Sequence, residues 1–253
     1  EYNYIKVSNS YNNNQENLSN LLESKFKERN YDIKRKKIGD VTTYFFSPNV
    51  SWHYELTDDL IEFGPIRTFD YVQHGYSPEE LYSNSIKANE KRKEMNQKFI
   101  RDFKEFNISN SVDWLFIYAN GYEILPETLI HIRENYGLPV VSLCLDDKHS
   151  WNGLKIENYR GGQIDIAKYF DLNWTSSRQA CDWYLKEGGC PILLPPGFSK
   201  KKYFPDRNIV KDIPISFLGA PYGYRLTLID ELRSSGIPIF TYGPGWTSKK
   251  NLH

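Results

Sequence analysis

"VVSLCLDDKHSW", Val140 to Trp151, decides the fold. A nearly apolar run, with Ser142 its one hydroxyl, stops at Asp146, Asp147, Lys148 and His149. A stretch apolar on both faces reads as a strand covered on both sides, as in parallel sheets. Gly137-Leu138-Pro139 separates it from a predicted helix over about 123–135 that carries Pro126 in its first turn. Before that helix, "DWLFIYA" (113–119) reads as another strand.

Working outward, the same alternation repeats. "VTTYFFS" (41–47) and "IRTFDYV" (66–72) read as strands, with a helix over roughly 52–63 between them, ended by Gly64. Ser77-Pro78-Glu79-Glu80 starts a predicted long charged helix over 78–106, with Ile86, Met95, Phe99, Ile100, Phe103 and Phe106 as its apolar stripe. Downstream, "IDIAKYF" (164–170) reads as a short helix and "DLNWTS" (171–176) as a strand. A helix over 177–187 closes at Gly188-Gly189, and "PILLPPG" (191–197) is a short strand and exit. Strands alternating with helices predict an α/β fold, a Rossmann-like parallel sheet with helices on both faces. Residues 39–196 form that lobe. Residues 1–38 are a polar, Asn-rich extension with one helix near 15–29. Residues 197–213 read as a linker. Residues 214–253 restart the pattern with strand 214–220, helix 224–235 and strand 238–243. They read as the first βαβ of a second Rossmann-like lobe, and about 40 residues are too few to bury a core alone.

The 253 residues carry 32 basic and 32 acidic side chains, so charge gives no reason to expect nucleic acid or an anionic membrane as partner. The runs Lys34-Arg35-Lys36-Lys37 and Lys200-Lys201-Lys202 read as solvated loops. Three cysteines without CxxC spacing fit neither a disulfide framework nor a zinc site, and a reduced, cytoplasmic setting is expected. No stretch approaches the roughly 18 apolar residues of a membrane span.

In open parallel sheets, ligands sit outside the carboxyl ends of the strands. That rule selects Trp52 and His53 after the first strand, Asn120 and Tyr122 after the third, and Asp146, Asp147, Lys148 and His149 after the fourth. A carboxylate at a dry strand end has a raised pKa and can take a proton from a hydroxyl. The bland reading is that one aspartate caps the next turn and the other pairs with Lys148. Adjacent side chains on a strand point to opposite faces, which argues against a shared metal. In "SFLGAPYGYR" (216–225), Gly219, Tyr222 and Arg225 lie where a turn and a helix start can meet phosphate. An ordinary turn with a surface arginine has the same sequence signature. In "TYGPGW" (241–246), Gly243 and Trp246 make a turn with an aromatic end, for stacking on a ligand or for closing a core.

The ordered set "SWHYELTDDLIEFG", "DWLFIYANGYEILPETLIHIRENYGLPVVSLCLDD", "FDLNWTSSRQACDWYLKEGGCPILLPPGFSKKKYFPD" and "ISFLGAPYGYRLTLIDELRSSGIPIFTYGPGW" resembles the CgeB-like (spore-maturation protein) glycosyltransferases, a family with the GT-B fold, over about residues 42–247. The resemblance implies two Rossmann-like lobes facing a cleft. The first holds a glycan, protein or small-molecule hydroxyl acceptor, with Asp146, Asp147 and His149 at the reacting centre and Trp52, His53, Asn120, Tyr122 and Lys148 on the acceptor side. The second holds a nucleotide-sugar donor at Gly219, Tyr222, Arg225, Gly243 and Trp246. The nucleotide-sugar is a substrate, and neither cofactor nor metal is expected. The donor-binding basic residue and the sugar-contacting Glu that this fold places further along the second lobe find no counterpart before His253. The chain is therefore expected to need a missing C-terminal lobe or a partner chain. A non-catalytic glycan- or protein-binding module is the alternative reading, and a nucleotide-sugar epimerase or small-ligand binding protein a third.

Overall fold

A computed structural model of the chain describes residues 15–48, 53–153, 161–199 and 201–246. It divides into two compact units, residues 1–199 and 200–253. In the first, α1 (Gln15–Glu28) precedes β1 (Thr43–Ser47), α2 (His53–Leu60) with a 3₁₀ turn (Ile61–Phe63), and β2 (Ile66–Asp70). There follow α3 (Pro78–Leu81), α4 (Ile86–Asn110), β3 (Trp114–Ile117), α5 (Pro126–Tyr136) and β4 (Val140–Cys144). The unit ends with α6 (Asp147–Ser150), α7 (Gln163–Ile166) with a 3₁₀ turn (Ala167–Tyr169), β5 (Leu172–Thr175), α8 (Arg178–Lys186) and β6 (Pro191–Leu193). The six strands are all parallel, in the order β2-β1-β3-β4-β5-β6.

Side chains alternate across the sheet, which gives it two apolar faces. Tyr44, Phe46, Leu115, Ile117 and Val140 pack with Met95, Phe99 and Phe103 of α4 and with Leu129 and Ile132 of α5. Phe45, Phe116 and Leu143 pack on the other face, against Leu56 and Leu60 of α2. Helices therefore cover both faces of a Rossmann-like sheet. The opening strand is buried at four of its five positions. Cys144, Cys181 and Cys190 are buried free thiols.

The long helix expected over 78–106 is two helices. Ser77 and Glu80 form a reciprocal capping box on α3, which stops after one turn. Ser85 then caps α4 by accepting the Ala88 N–H at 3.1 Å. Arg92, fully buried, donates to the carbonyls of Leu81 and Ser83 and holds the break in place. Ile86 is consequently the first residue of a new helix and is 82% exposed, outside the stripe assigned to it. Two Ser flanking Asn84 compete with the helical backbone for hydrogen bonds, which is the physical reason for the interruption.

The second unit contains β7 (Ile215–Leu218), α9 (Arg225–Ser234) and β8 (Ile239–Tyr242), with β7 and β8 paired in parallel. Ile229 and Ile239 are its buried hydrophobic residues among those described. Ser199 donates to Asp59 at 3.1 Å, so the first unit runs through Ser199. Among the described residues, no helix is long and apolar enough to cross a membrane.

Candidate functional site

At the carboxyl ends of β1 to β4 the first unit holds a cavity of about 240 Å³. The loop after β3 builds one wall. The Asn120 N–H donates to Glu123 Oε2 at 2.7 Å, and Asn120 Oδ1 accepts the Tyr122 N–H at 2.9 Å, closing a tight turn. Asn96, a buried polar residue of α4, donates to the Glu123 carbonyl and accepts the Leu125 N–H. The loop is thus pinned from below as well as from within.

Glu123 is buried, and its Oε1 accepts the hydroxyls of Tyr71 at 2.5 Å and Tyr82 at 2.9 Å. Burial raises its pKa, while those hydrogen bonds pull the other way. The same burial and the Glu123 charge push both tyrosines well above their ordinary range, so their hydroxyls stay protonated and remain donors to Glu123. Asn120 Nδ2 also donates to the Tyr82 hydroxyl, at 3.1 Å. The opposite wall comes from α7. Gln163 is 2% exposed and donates to the Ala119 carbonyl at 2.8 Å, which fixes its amide. Its Oε1 is buried and has no partner among the described residues. Asp146, exposed, stands at the rim. No Lys, Arg or His is among the described residues that line this cavity. What it offers is hydroxyls and side-chain amides, groups that both donate and accept, with the Asp146 carboxylate at the rim.

The two adjacent aspartates separate. Asp147 is 1% exposed and lies away from the cavity wall. Its Oδ2 accepts the Thr175 hydroxyl at 2.5 Å and its Oδ1 the Tyr184 hydroxyl at 2.8 Å, joining α6, β5 and α8. Burial raises its pKa. Lys148 and His149 are exposed and do not line the cavity. Of the acceptor-side residues, Asn120 lines it. Tyr122 is buried with its ring 4.9 Å from that of Tyr82 and against Gly161, where a side chain would meet the Tyr122 ring at 2.7 Å. Trp52 and the side chain of His53 lie outside the described residues.

The five residues assigned to the donor meet in the second unit. Gly219 (φ 148°) and Gly243 (φ 129°) approach so closely that a Cβ on Gly243 would lie 2.7 Å from the Gly219 carbonyl oxygen. Trp246 donates from Nε1 to that same oxygen at 2.6 Å and meets Phe217 edge-on, so it closes the turn. Arg225, the first residue of α9, donates to the Ala220 carbonyl at 3.2 Å and lies 3.8 Å from the Tyr222 ring centre.

Glu123, Tyr71, Tyr82 and Gln163 escaped sequence reasoning. The spacing Asn120-x-x-Glu123 just past a strand end was the available signal for the first, since a carboxylate there reaches back to the turn's N–H. Tyr71, Tyr82 and Gln163 reach the cavity from three separate loops and helices, and nothing local marks them. Among the described residues, no group of three or more His, Cys, Asp or Glu comes together as a metal site. No family model matches the chain, and neither does any curated protein or solved structure at the threshold applied.

Proposed function

We propose that the chain is the acceptor-side lobe, with the start of the donor-side lobe, of a nucleotide-sugar-dependent glycosyltransferase of the CgeB-like kind. The observation that carries this reading is the polar cavity at the carboxyl edge, lined by Tyr71, Tyr82, Asn120 and Gln163 with Asp146 at its rim. The order of motifs along residues 42–247 supports the family. A sugar or similar polyol would place its hydroxyls against Gln163, Tyr71 and Asp146. Asp146 would then take the proton of the acceptor hydroxyl as that oxygen bonds to the donor sugar carbon. The bond from that carbon to the diphosphate breaks, and its electron pair leaves with the diphosphate. The turn from Gly219 to Tyr224 and the start of α9 would meet the leaving diphosphate in the second unit. Asp146 takes the base role in preference to Asp147, because both Asp147 oxygens already accept hydroxyls from the protein.

The test is sugar transfer from labelled nucleotide-sugars to glycoside acceptors. Asp146→Asn is expected to lower turnover by about 10²-fold. Wild-type turnover in this variant would remove Asp146 from the mechanism. The bonded state of Asp147 also fits a binding module without chemistry. Sugar binding with no transfer from any nucleotide-sugar would establish that second reading.

A further inference from the structure

The edge where β4 and β5 begin holds a larger cavity, of about 660 Å³, bordered by the end of α1 and the end of α5. Beneath it lies Asp171, 1% exposed. Asp171 Oδ1 accepts from Arg29 Nη2 at 2.8 Å, and Oδ2 accepts the Val140 N–H at 2.9 Å. Arg133 brings a second guanidinium, with Nη2 4.0 Å from the same Oδ1 and Nη1 donating to the Tyr169 carbonyl at 3.2 Å. Two cations therefore share one buried carboxylate. One guanidinium suffices to neutralise it, so the second is balanced only by the exposed Glu134, with which it makes no ion pair among the described residues.

The hydrogen-bond inventory points the same way. Arg29 Nε and Nη1 and Arg133 Nε are buried with no acceptor among the described residues. The Arg29 guanidinium also lies 4.7 Å from the Phe26 ring centre, which contributes to holding it at the cavity. Buried guanidinium donors without acceptors are costly, and this planar fork matches the oxygens of phosphate and carboxylate. Glu134, the other carboxylate at the cavity, is exposed and makes no ion pair with either arginine among the described residues. Tyr31 and Tyr136, both half-buried, supply aromatic wall.

We propose that this cavity binds a phosphate-bearing small molecule, with its oxyanion on Arg29 and Arg133 and its organic part against Tyr31 and Tyr136. A phosphate ester presents three strong acceptor oxygens, and both arginine side chains are partly exposed at the cavity, 16% for Arg29 and 26% for Arg133. The site lies across the sheet from the Gln163 cavity and does not rest on the glycosyltransferase reading. It also gives α1, otherwise a polar extension, a role: its last turn supplies Phe26 against the Arg29 guanidinium, and the residues just after it supply Arg29 and Tyr31.

The test is a thermal-shift titration of the 253-residue chain with inorganic phosphate and with phenyl phosphate, at constant ionic strength set with sodium chloride. Phosphate is expected to raise Tm saturably, with phenyl phosphate binding about tenfold tighter than inorganic phosphate because of the tyrosines. Arg133→Gln is expected to weaken phosphate by about tenfold or more, and Arg133→Lys, which keeps the charge and loses the fork, by a smaller factor. Far-ultraviolet circular dichroism shows that each variant is folded. A rise no greater than that with chloride alone overturns the proposal, as does an undiminished response in both Arg133 variants. A response lost in Arg225→Ala but kept in Arg133→Gln would place the phosphate in the second unit and overturn it equally.

Discussion

At the carboxyl edge of the sheet, Glu123 is met by two tyrosine hydroxyls and a backbone N–H, whereas at the amino edge Asp171 is met by two guanidinium groups and a backbone N–H. Both carboxylates are buried, and all the oxygens concerned accept hydrogen bonds. The difference lies in charge. Neutral donors satisfy lone pairs without offsetting the carboxylate's charge, so burial still raises the pKa of Glu123. Guanidinium groups offset it directly. The two edges therefore differ in how they hold a buried carboxylate: by neutral hydroxyls at one, by paired cations at the other.

The sharpest way to break this contrast is Asp171→Ala. It strands two partly buried guanidiniums and the Val140 N–H, and about 3–5 kcal/mol of stability is expected to go, read by urea unfolding. A loss below about 1 kcal/mol would mean that the arginines find other acceptors and that Asp171 does not organise this edge. Asp147→Ala comes next. It orphans the Thr175 and Tyr184 hydroxyls and is expected to cost about 2–4 kcal/mol, while the exposed neighbour Asp146→Ala stays within about 0.5 kcal/mol. Equal losses at the two positions would erase the division between the buried strut and the rim residue.

Glu123→Gln sharpens the electrostatic half of the comparison. Burial holds the folded-state pKa of Glu123 above its unfolded value. The stability that wild type draws from this group is therefore fully present below the unfolded value and is lost as pH rises through the folded one. The variant lacks that titration. Its deficit, about 1–3 kcal/mol in acid, is expected to narrow as the pH is raised toward neutrality. A deficit that grows over this range would show that Glu123 gains stability by ionising, as a carboxylate paired with a cation does. The smallest effect belongs to Tyr82→Phe. It removes one of two hydroxyl donors from a carboxylate that keeps the other, for about 1 kcal/mol in the same unfolding measurement.

Local pattern carried much of this structure. The two-face apolar texture of Val140–Cys144 and of Thr43–Ser47 announced parallel strands, and Gly64, Gly137 and Gly188 marked helix ends. The break before α4 was hidden because Ser83-Asn84-Ser85 is short and Ile86 matches the helical period. The structure settles it through Arg92, whose carbonyl partners lie nine and eleven residues back. The strand-end rule led to the edge of the sheet that holds the 240 Å³ cavity, and to Asn120 and Asp146 among its lining residues. It could not separate Asp146 from Asp147, because that separation depends on Thr175 and Tyr184, which lie about 30 to 40 residues downstream. Glu123 and Gln163 were invisible for a related reason. Their significance comes from Tyr71, Tyr82 and Ala119, which only the folded sheet brings to them.

The proposed function requires the carboxyl-edge cavity to take a hydroxyl-rich ligand against Gln163 and its neighbours. Titration calorimetry of methyl glycosides against the wild-type chain and Gln163→Leu tests it most directly. Saturable binding by the wild type, weakened about tenfold in the variant, is the predicted result. Equal affinity in the two proteins, or no binding of any glycoside to the wild type, would contradict it.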